Sequence, residues 1–135
     1  MTVVVLDTNG YTALHRGDAR VLSALAGAST VFMSVVVVGE LHAGFRGGRR
    51  RAFNVARLSK FLGGPTVRVL DATSRTAELY GEVKDALRLA GTPIPQNDVW
   101  IAAHTIEVGA LLITYDRHFR GVAGLRLWSP PAPSS

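Results

Sequence analysis

The chain has 135 residues, of which 47% are hydrophobic and 19% are charged, and it contains no cysteine. This composition is typical of one folded globular domain, and it excludes a disordered chain, a disulfide framework and a cysteine-ligated zinc site. No apolar run approaches the roughly 20 residues of a membrane span, and the N-terminus lacks the pattern of a signal peptide, so we expect a protein of the reducing cytoplasm.

The net charge of +5 arises from 15 Lys and Arg residues against 10 Asp and Glu residues. This basic balance suggests that the partner is a polyanion or an acidic protein. A high arginine content can equally reflect a GC-rich genome, so composition alone leaves both explanations open.

The first predicted element is a strand at residues 3–6. Its continuous apolar run of three Val and one Leu is typical of a strand buried on both faces in a parallel α/β sheet. Asp7 follows at the carboxyl end of this strand, where ligands bind in such sheets. Taken alone, however, Asp7 is better explained as the N-cap of the next helix.

Helices and strands alternate along the next part of the chain. Helical spacing and capping residues predict helices at residues 10–15, 21–26 and 34–45, and strand propensity predicts a strand at 30–33. Ser34 is the predicted cap of the third helix, and Glu40 falls near its middle. Residues 46–51 read Arg-Gly-Gly-Arg-Arg-Arg, which predicts a flexible basic loop.

The second half of the chain continues this alternation. A helix is predicted at 52–62, a strand near the sheet edge at 67–69, a long helix at 74–90, a buried strand at 110–114 and a short strand at 125–128. One face of the helix at 52–62 is predicted to carry Ala52, Val55, Ala56, Ser59 and Leu62. Asn97 is the predicted cap of another helix, which places Asp98 in its first turn. Tyr115 and Asp116 follow the strand at 110–114.

This alternation predicts an α/β fold, a three-layer α/β/α sandwich with a central parallel sheet. Right-handed crossovers then bring the carboxyl end of every strand to one edge of the sheet. We expect a single domain at residues 1–128, followed by a frayed, Pro-rich tail at residues 129–135.

Four acidic residues converge in this arrangement. Asp7 and Asp116 each follow a fully apolar strand, Asp98 begins the helix that leads to the Asp116 strand, and Glu40 lies on the helix after the second strand. If the first and fourth strands are neighbours, these acids surround one cleft. Carboxylates this close repel one another, and a hard divalent cation such as Mg²⁺ relieves that repulsion. Without cysteines or a metal-spaced pair of histidines, zinc is a poorer match.

Four segments of the sequence carry a resemblance to a known family, and they come in the family's order. They are residues 6–9 (Leu-Asp-Thr-Asn), 34–41, 95–103 (Pro-Gln-Asn-Asp-Val-Trp-Ile-Ala-Ala) and 112–119 (Leu-Ile-Thr-Tyr-Asp-Arg-His-Phe). With them the chain resembles PIN-domain ribonucleases, specifically the VapC-type toxins of bacterial toxin–antitoxin pairs. The similarity spans about the whole chain up to the Pro-rich tail.

The resemblance implies a PIN-like fold and a Mg²⁺ or Mn²⁺ site. It implies that Asp7 and Asp98 bind the metal, and that Glu40 and Asp116 complete the acidic pocket. Small polar residues border the site in this family. In this sequence the corresponding residues are Thr8, Asn9 and Thr114. Tyr115 departs from the family, which often has a small polar residue there. Either Glu40 or Asp116 is the candidate general base, and the number of metal ions, one or two, stays open.

The family likeness further implies an endoribonuclease toxin that hydrolyses RNA phosphodiester bonds with a metal-activated water. The implied partners are a cognate VapB-type antitoxin and an RNA substrate, in a homodimer or a toxin–antitoxin hetero-oligomer without a membrane. Transfer, ribosomal and messenger RNA all stay open as targets. Four arginines of the basic loop are candidates for contacts to the RNA backbone, although a solvated loop or an antitoxin contact fits as well: Arg46, Arg49, Arg50 and Arg51.

Other functions fit the sequence less well. A haloacid-dehalogenase-type phosphatase needs an acid where Asn9 stands, and a glycine-rich nucleotide loop is absent after the first strand. Asp71 also ends a strand, but its neighbours predict an ordinary helix entry. A catalytically silent module that only binds an antitoxin remains the alternative. We expect the histidines to be surface or core-packing residues, and we expect Trp100 and Trp128 to be packing or interface residues and not platforms on which bases stack.

Overall fold

We describe the fold from a computed structural model, which describes residues 2–132. The strands are β1 (Val3–Leu6), β2 (Thr30–Ser34), β3 (Val67–Leu70), β4 (Leu111–Ile113) and β5 (Arg126–Leu127). The helices are α1 (Thr8–His15), α2 (Ala19–Ala26), α3 (Val35–Arg46), α4 (Arg51–Leu62), α5 (Ser74–Ala90) and α6 (Gln96–Glu107), followed by a short 3-10 helix at Arg117–Gly121.

The five strands form one sheet in the order β3-β2-β1-β4-β5, and every neighbouring pair is parallel. The first strand is therefore central, and its residues Val4, Val5 and Leu6 are buried. β1 pairs with β4 directly, with Leu6 opposite Ile113. The predicted central parallel sheet is confirmed, and β3 is the edge strand that its alternating sequence indicated.

The strand order separates the helices into two layers. The chain steps from β1 to β2 to β3 in one direction and then returns past β1 to β4 and β5. Because parallel crossovers are right-handed, α1 to α4 cover one face and α5 and α6 cover the other. The packing agrees, since α1 contacts α2 and α3 while α5 packs along α6. The predicted three-layer α/β/α sandwich is confirmed.

The helices α3 and α5 begin where the sequence predicts, whereas α6 does not. The Ser34 hydroxyl accepts a hydrogen bond from the Val36 amide at 3.1 Å and caps α3. Thr73 caps α5 through a capping box with Thr76. The prediction that Asn97 caps α6 is wrong, because that helix begins two residues earlier than this cap requires and has Pro95 at its cap position. The Asn97 side chain is thereby free to reach another element.

The loop before α4 is shorter than predicted, and the packing of α4 rests on its larger side chains. The loop is shorter than residues 46–51, because Arg46 ends α3 and Arg51 begins α4. The face of α4 that carries Ala52, Ala56 and Ser59 is exposed, and Leu58 is the buried residue of this helix. Larger side chains bury more apolar area, so Leu58 and the half-buried Phe61 determine which face of α4 packs inward.

A buried histidine joins three elements below the carboxyl edge of the sheet. His104 of α6 is 1% exposed, and its Nδ1 lies 2.8 Å from Ser34 Oγ while its Nε2 lies 3.3 Å from the Asp71 carbonyl. Because a carbonyl only accepts, Nε2 carries the proton and Nδ1 accepts from Ser34. Burial lowers the pKa of His104, which favours this neutral form. The expected packing role is confirmed for this histidine.

The end of the described chain folds back along α2. Of the predicted tail, residues 129–132 are described and residues 133–135 lie outside the described part. The Arg20 guanidinium donates a 3.1 Å hydrogen bond to the Pro131 carbonyl. Between residues 2 and 132, no helix is both long and apolar enough to cross a membrane.

Candidate metal centre

Asp7 has two roles at the carboxyl end of β1. It is the N-cap of α1, since its Oδ1 accepts the Gly10 amide at 2.7 Å. Its other oxygen, Oδ2, accepts the Thr114 hydroxyl at 2.6 Å. Only 4% of Asp7 is exposed, so the carboxylate is held rigidly at the edge of the cleft. The cap and the functional interpretation of Asp7 are therefore compatible.

Gly10 allows the first turn of α1 to lie against β4. A Cβ atom at this position would be 2.7 Å from the Ile113 carbonyl oxygen and 2.7 Å from Leu6 Cδ1, which is closer than real Cβ atoms approach. The missing side chain therefore lets Asp7 reach Thr114 across the β1–β4 pair.

Glu40 points from α3 toward the same cleft and is held by two donors. Its Oε1 accepts the Thr8 hydroxyl at 2.9 Å, and its Oε2 accepts the Asn97 amide at 3.3 Å. Thr8 begins α1 and Asn97 lies in the first turn of α6, so Glu40 ties three helices together at the cleft. Asn97 is thus a site residue that sequence reasoning had treated only as a cap.

Asp98 and Asp116 meet on the other side of the cleft, with His118 between them. The His118 Nδ1 lies 3.3 Å from Asp98 Oδ2 and 3.2 Å from Asp116 Oδ1. One ligand atom from each of these three residues lies within 4.8 Å of the others, which is a spacing suited to a metal ion. Sequence reasoning missed His118, although its position two residues after an acid in a turn was the available signal.

Thr114 links Asp7 to Asp116. Its hydroxyl donates to Asp7, and the same oxygen accepts the Asp116 amide at 2.9 Å. The Asp116 side chain in turn accepts the His118 amide at 2.9 Å and caps the 3-10 helix. The predicted supporting residue Thr114 therefore fixes the relative positions of two acids.

The electrostatics of the site favour a bound cation. Burial raises the pKa of Asp7 to about 6, against the lowering effect of its bonds to Thr114 and Gly10, and the charges of Asp116 and Asp98 raise it further. Burial also raises the pKa of Asp98, where the bond to His118 acts in the opposite direction. A divalent cation would reverse both effects, because it stabilises the deprotonated carboxylates. The donor set of carboxylate oxygens therefore fits a hard metal ion.

The four acids line one open cleft of about 720 Å³, together with Thr8 and Asn9. Arg16, Asp18 and Tyr115 also line this cleft. Tyr115, the residue that departs from the family pattern, donates its hydroxyl to Asp18 Oδ2 at 2.7 Å, and its amide donates to Asn9 Oδ1 at 3.3 Å.

The arginines of the predicted basic loop do not line the acidic cleft. None of Arg46, Arg49, Arg50 and Arg51 is among the described residues that line the cleft, and Arg50 instead covers the Phe53 ring at 4.1 Å. The contact of these arginines with RNA stays a prediction. It requires that the RNA extend beyond the cleft to reach them.

Comparison with known proteins identifies the family. Residues 4–125 match the PIN domain family. The chain belongs to this family. Ribonuclease VapC2 of Rickettsia felis is 30% identical over 130 residues, which cover 93% of this PIN-domain chain and 96% of the relative. Ribonuclease VapC2 of Haemophilus influenzae strain Rd is 31% identical over 129 residues, covering 93% and 96% of the two chains.

The fold of the PIN domain agrees with a solved relative. A crystal structure of VapBC2 from Rickettsia felis, bound to a DNA fragment from the promoter, contains a chain that matches with a TM-score of 0.82 and 27% identity over 94% of this chain and 98% of that one. These similarities confirm the expected resemblance to the VapC-type PIN-domain ribonucleases.

Proposed function

We propose that this PIN domain is a Mg²⁺-dependent endoribonuclease and the toxin of a toxin–antitoxin pair. The observation that carries the proposal is the convergence of Asp7, Glu40, Asp98 and Asp116 on one cleft. An idle fold would gain stability by losing a cluster of partly buried, mutually repelling acids, so their presence favours chemistry over a silent binding module. The curated relatives are named as ribonucleases, which agrees with a cleft whose carboxylate oxygens can hold a metal ion.

The proposed metal ligands are Asp7 and Asp98, with Glu40 and Asp116 completing the acidic pocket. Mg²⁺ is the preferred ion because the carboxylates supply hard oxygen donors, and Mn²⁺ accepts the same donors and also the imidazole of His118. When bound, the cation supplies positive charge to the phosphoryl oxygens and acidifies a coordinated water.

The hydrogen bonds of the two candidate bases distinguish their roles. Both oxygens of Glu40 accept from side chains, Thr8 and Asn97, so this carboxylate is committed to holding the cleft together. Asp116 receives its bonds at Oδ1 from His118. Its second oxygen can accept a proton from an attacking water, and we assign Asp116 rather than Glu40 as the general base.

The proposed partner is a VapB-type antitoxin, because the Rickettsia felis relative is a VapBC complex. On this chain, α4 presents a strip of the exposed Ala52, Ala56 and Ser59 and the half-buried Val55 beside Arg51. Phe53 of the same helix is 48% exposed. An apolar strip rimmed by arginines suits an amphipathic, partly acidic segment of the antitoxin. A hetero-oligomer of this kind would act in the cytoplasm, where its RNA substrate is.

A metal-dependent cleavage assay tests the proposal. Protein purified free of antitoxin should cleave total cellular RNA with Mg²⁺ or Mn²⁺, and added chelator should stop the cleavage. Mapping the new RNA ends identifies the target. Antitoxin binding without any cleavage under these conditions would support the silent module instead.

A further inference from the structure

A second, smaller cavity adjoins the metal centre. Its volume is about 180 Å³, and it shares Tyr115 and Asp116 with the larger cleft. Its remaining wall includes Arg117 and Arg120 of the 3-10 helix and Trp128 after β5. Drug-sized sites measure roughly 300–1,000 Å³, so this cavity suits a single planar ring rather than an extended ligand.

Two arginines give this cavity a charge opposite to that of the acidic cleft. Arg117 and Arg120 are both exposed, and within residues 2–132 neither forms an ion pair or a side-chain hydrogen bond. By contrast, the exposed arginines of α5 are paired, Arg75 with Glu78 at 3.0 Å and Arg88 with Asp85 at 2.7 Å. The guanidinium groups beside the small cavity are therefore available to an external anion.

The aromatic wall of the cavity is held in place from several sides. The half-buried Trp128 ring lies 5.4 Å from the Tyr115 ring at an angle of 63°, and the Trp128 amide donates to the Leu112 carbonyl at 2.9 Å. Tyr115 is fixed by its bond to Asp18 and by the Arg20 guanidinium 5.1 Å from its ring centroid. Trp100, by contrast, stacks on Tyr80 at 4.2 Å, so it has the packing role expected for both tryptophans.

We propose that this cavity is a subsite for single-stranded RNA, in which a nucleotide beside the cleaved phosphate stacks its base on Trp128 and places its phosphate at Arg117 and Arg120. The inference rests on the proposed nuclease function. Single-stranded nucleic acids bind where aromatic rings take the bases and arginines follow the backbone, and this cavity supplies both next to the acids. An acidic protein segment would need the arginines but not a ring-sized aromatic cavity, so the RNA is favoured.

The first test uses the fluorescence of Trp128. The chain has two tryptophans, so Trp100→Phe leaves Trp128 as the sole source of tryptophan fluorescence. Titration with a short single-stranded oligoribonucleotide, in metal-free buffer that prevents cleavage, should quench this emission. Trp128→Leu in the otherwise natural chain should weaken RNA binding, measured with a labelled oligonucleotide, by about five- to 100-fold, whereas Trp128→Phe keeps a stacking ring and should restore most of the affinity.

The second test removes the two arginines. Arg117→Ala with Arg120→Ala should lower the magnitude of the slope of log affinity against log salt concentration by about 0.7, because the contact to one phosphate of a single strand is lost. The matched control is Arg75→Ala with Arg88→Ala, which removes the same charge from α5 and should leave both the slope and the quenching unchanged.

The outcomes separate this inference from the proposed function. If the parent protein cleaves RNA while the Arg117/Arg120 and Trp128 variants bind and cleave it normally, the subsite is refuted and the nuclease stands. If these variants lose affinity for the antitoxin but keep their affinity for RNA, the subsite is also refuted, and the cavity is assigned to the protein partner. RNA that quenches Trp128 but is never cleaved supports the subsite and contradicts the nuclease.

Discussion

The Thr114 hydroxyl donates a 2.6 Å hydrogen bond to Asp7 Oδ2, which joins the ends of two adjacent strands that are 107 positions apart in the sequence. The bond is buried, and it holds the carboxylate of the first strand beside the segment that carries Asp116. The position of the proposed first metal ligand therefore depends on a residue that contributes no carboxylate itself.

Removing this hydroxyl should weaken metal binding. Thr114→Val keeps the shape of the side chain but removes both the donor to Asp7 and the acceptor of the Asp116 amide. Groups that orient metal ligands typically contribute about 10- to 100-fold to metal affinity, so we expect a loss in this range for Mn²⁺ measured by calorimetry. Thr114→Ser is the matched control and should retain affinity. Equal affinities for the two variants would contradict this role.

Replacement of the Asp7 carboxylate should abolish RNA cleavage without unfolding the protein. Asp7→Asn removes one negative charge from the cluster, while the amide oxygen can still accept the Gly10 amide as a helix cap. Because the carboxylate is almost fully buried, the variant should melt at the same temperature or higher in metal-free buffer. Cleavage of labelled RNA and thermal unfolding measure the two effects.

Asp71→Asn is the control for that substitution. Asp71 also follows a strand, β3, but it is exposed and is not among the residues lining the cleft. This variant should cleave RNA at the normal rate. Full activity of Asp7→Asn, or loss of activity in both variants, would remove the support for Asp7 as a metal ligand.

The stability of the metal-free protein should depend on the ionisation of Asp7. Its pKa is about 6 in the folded state against an ordinary value of 3.8, so between these values the folded protein binds the proton more tightly than the unfolded chain. The contribution of Asp7 to the free energy of unfolding is therefore full below about pH 4 and falls as the pH rises to 6, by up to about 3 kcal/mol.

Urea unfolding from pH 4 to pH 7, compared between the natural protein and Asp7→Asn, isolates this contribution. Other groups, such as His104, titrate in both proteins and largely cancel in the comparison. We expect the variant to gain relative stability across this range. A difference that stays constant with pH would show that Asp7 ionises normally.

A side chain at Gly10 should destabilise the fold. In Gly10→Ala the new Cβ would meet the Ile113 carbonyl and Leu6 at 2.7 Å, and overpacking of this kind typically costs about 1–3 kcal/mol. Gly81→Ala in α5 is the control, because nothing lies within 4 Å of its Cβ position, and it should stabilise the helix by about 0.5–1 kcal/mol. Chemical unfolding measures both, and a neutral Gly10→Ala would contradict the close approach of α1 to β4.

The parts of the site that follow directly from strands were predictable from the sequence. Asp7 and Asp116 come after apolar runs, and a parallel sheet brings the carboxyl ends of its strands to one edge. The contacts of His118 and Asn97 were not predictable, because they depend on the geometry of a turn and on a helix that starts two residues earlier than predicted. The orientation of α4 also depends on tertiary packing, since its small residues allow either face to turn inward.

The sheet order has a consequence for the time at which the site can form. β4 is made fourth but lies beside β1, the first strand made. A growing chain that ends before residue 111 leaves one edge of β1 unpaired and lacks both Thr114 and Asp116. The nascent protein therefore cannot assemble its acidic cleft until nearly the whole PIN domain has been synthesised. Any activity that needs the complete acidic cleft is thus absent through most of the time in which the chain is being translated.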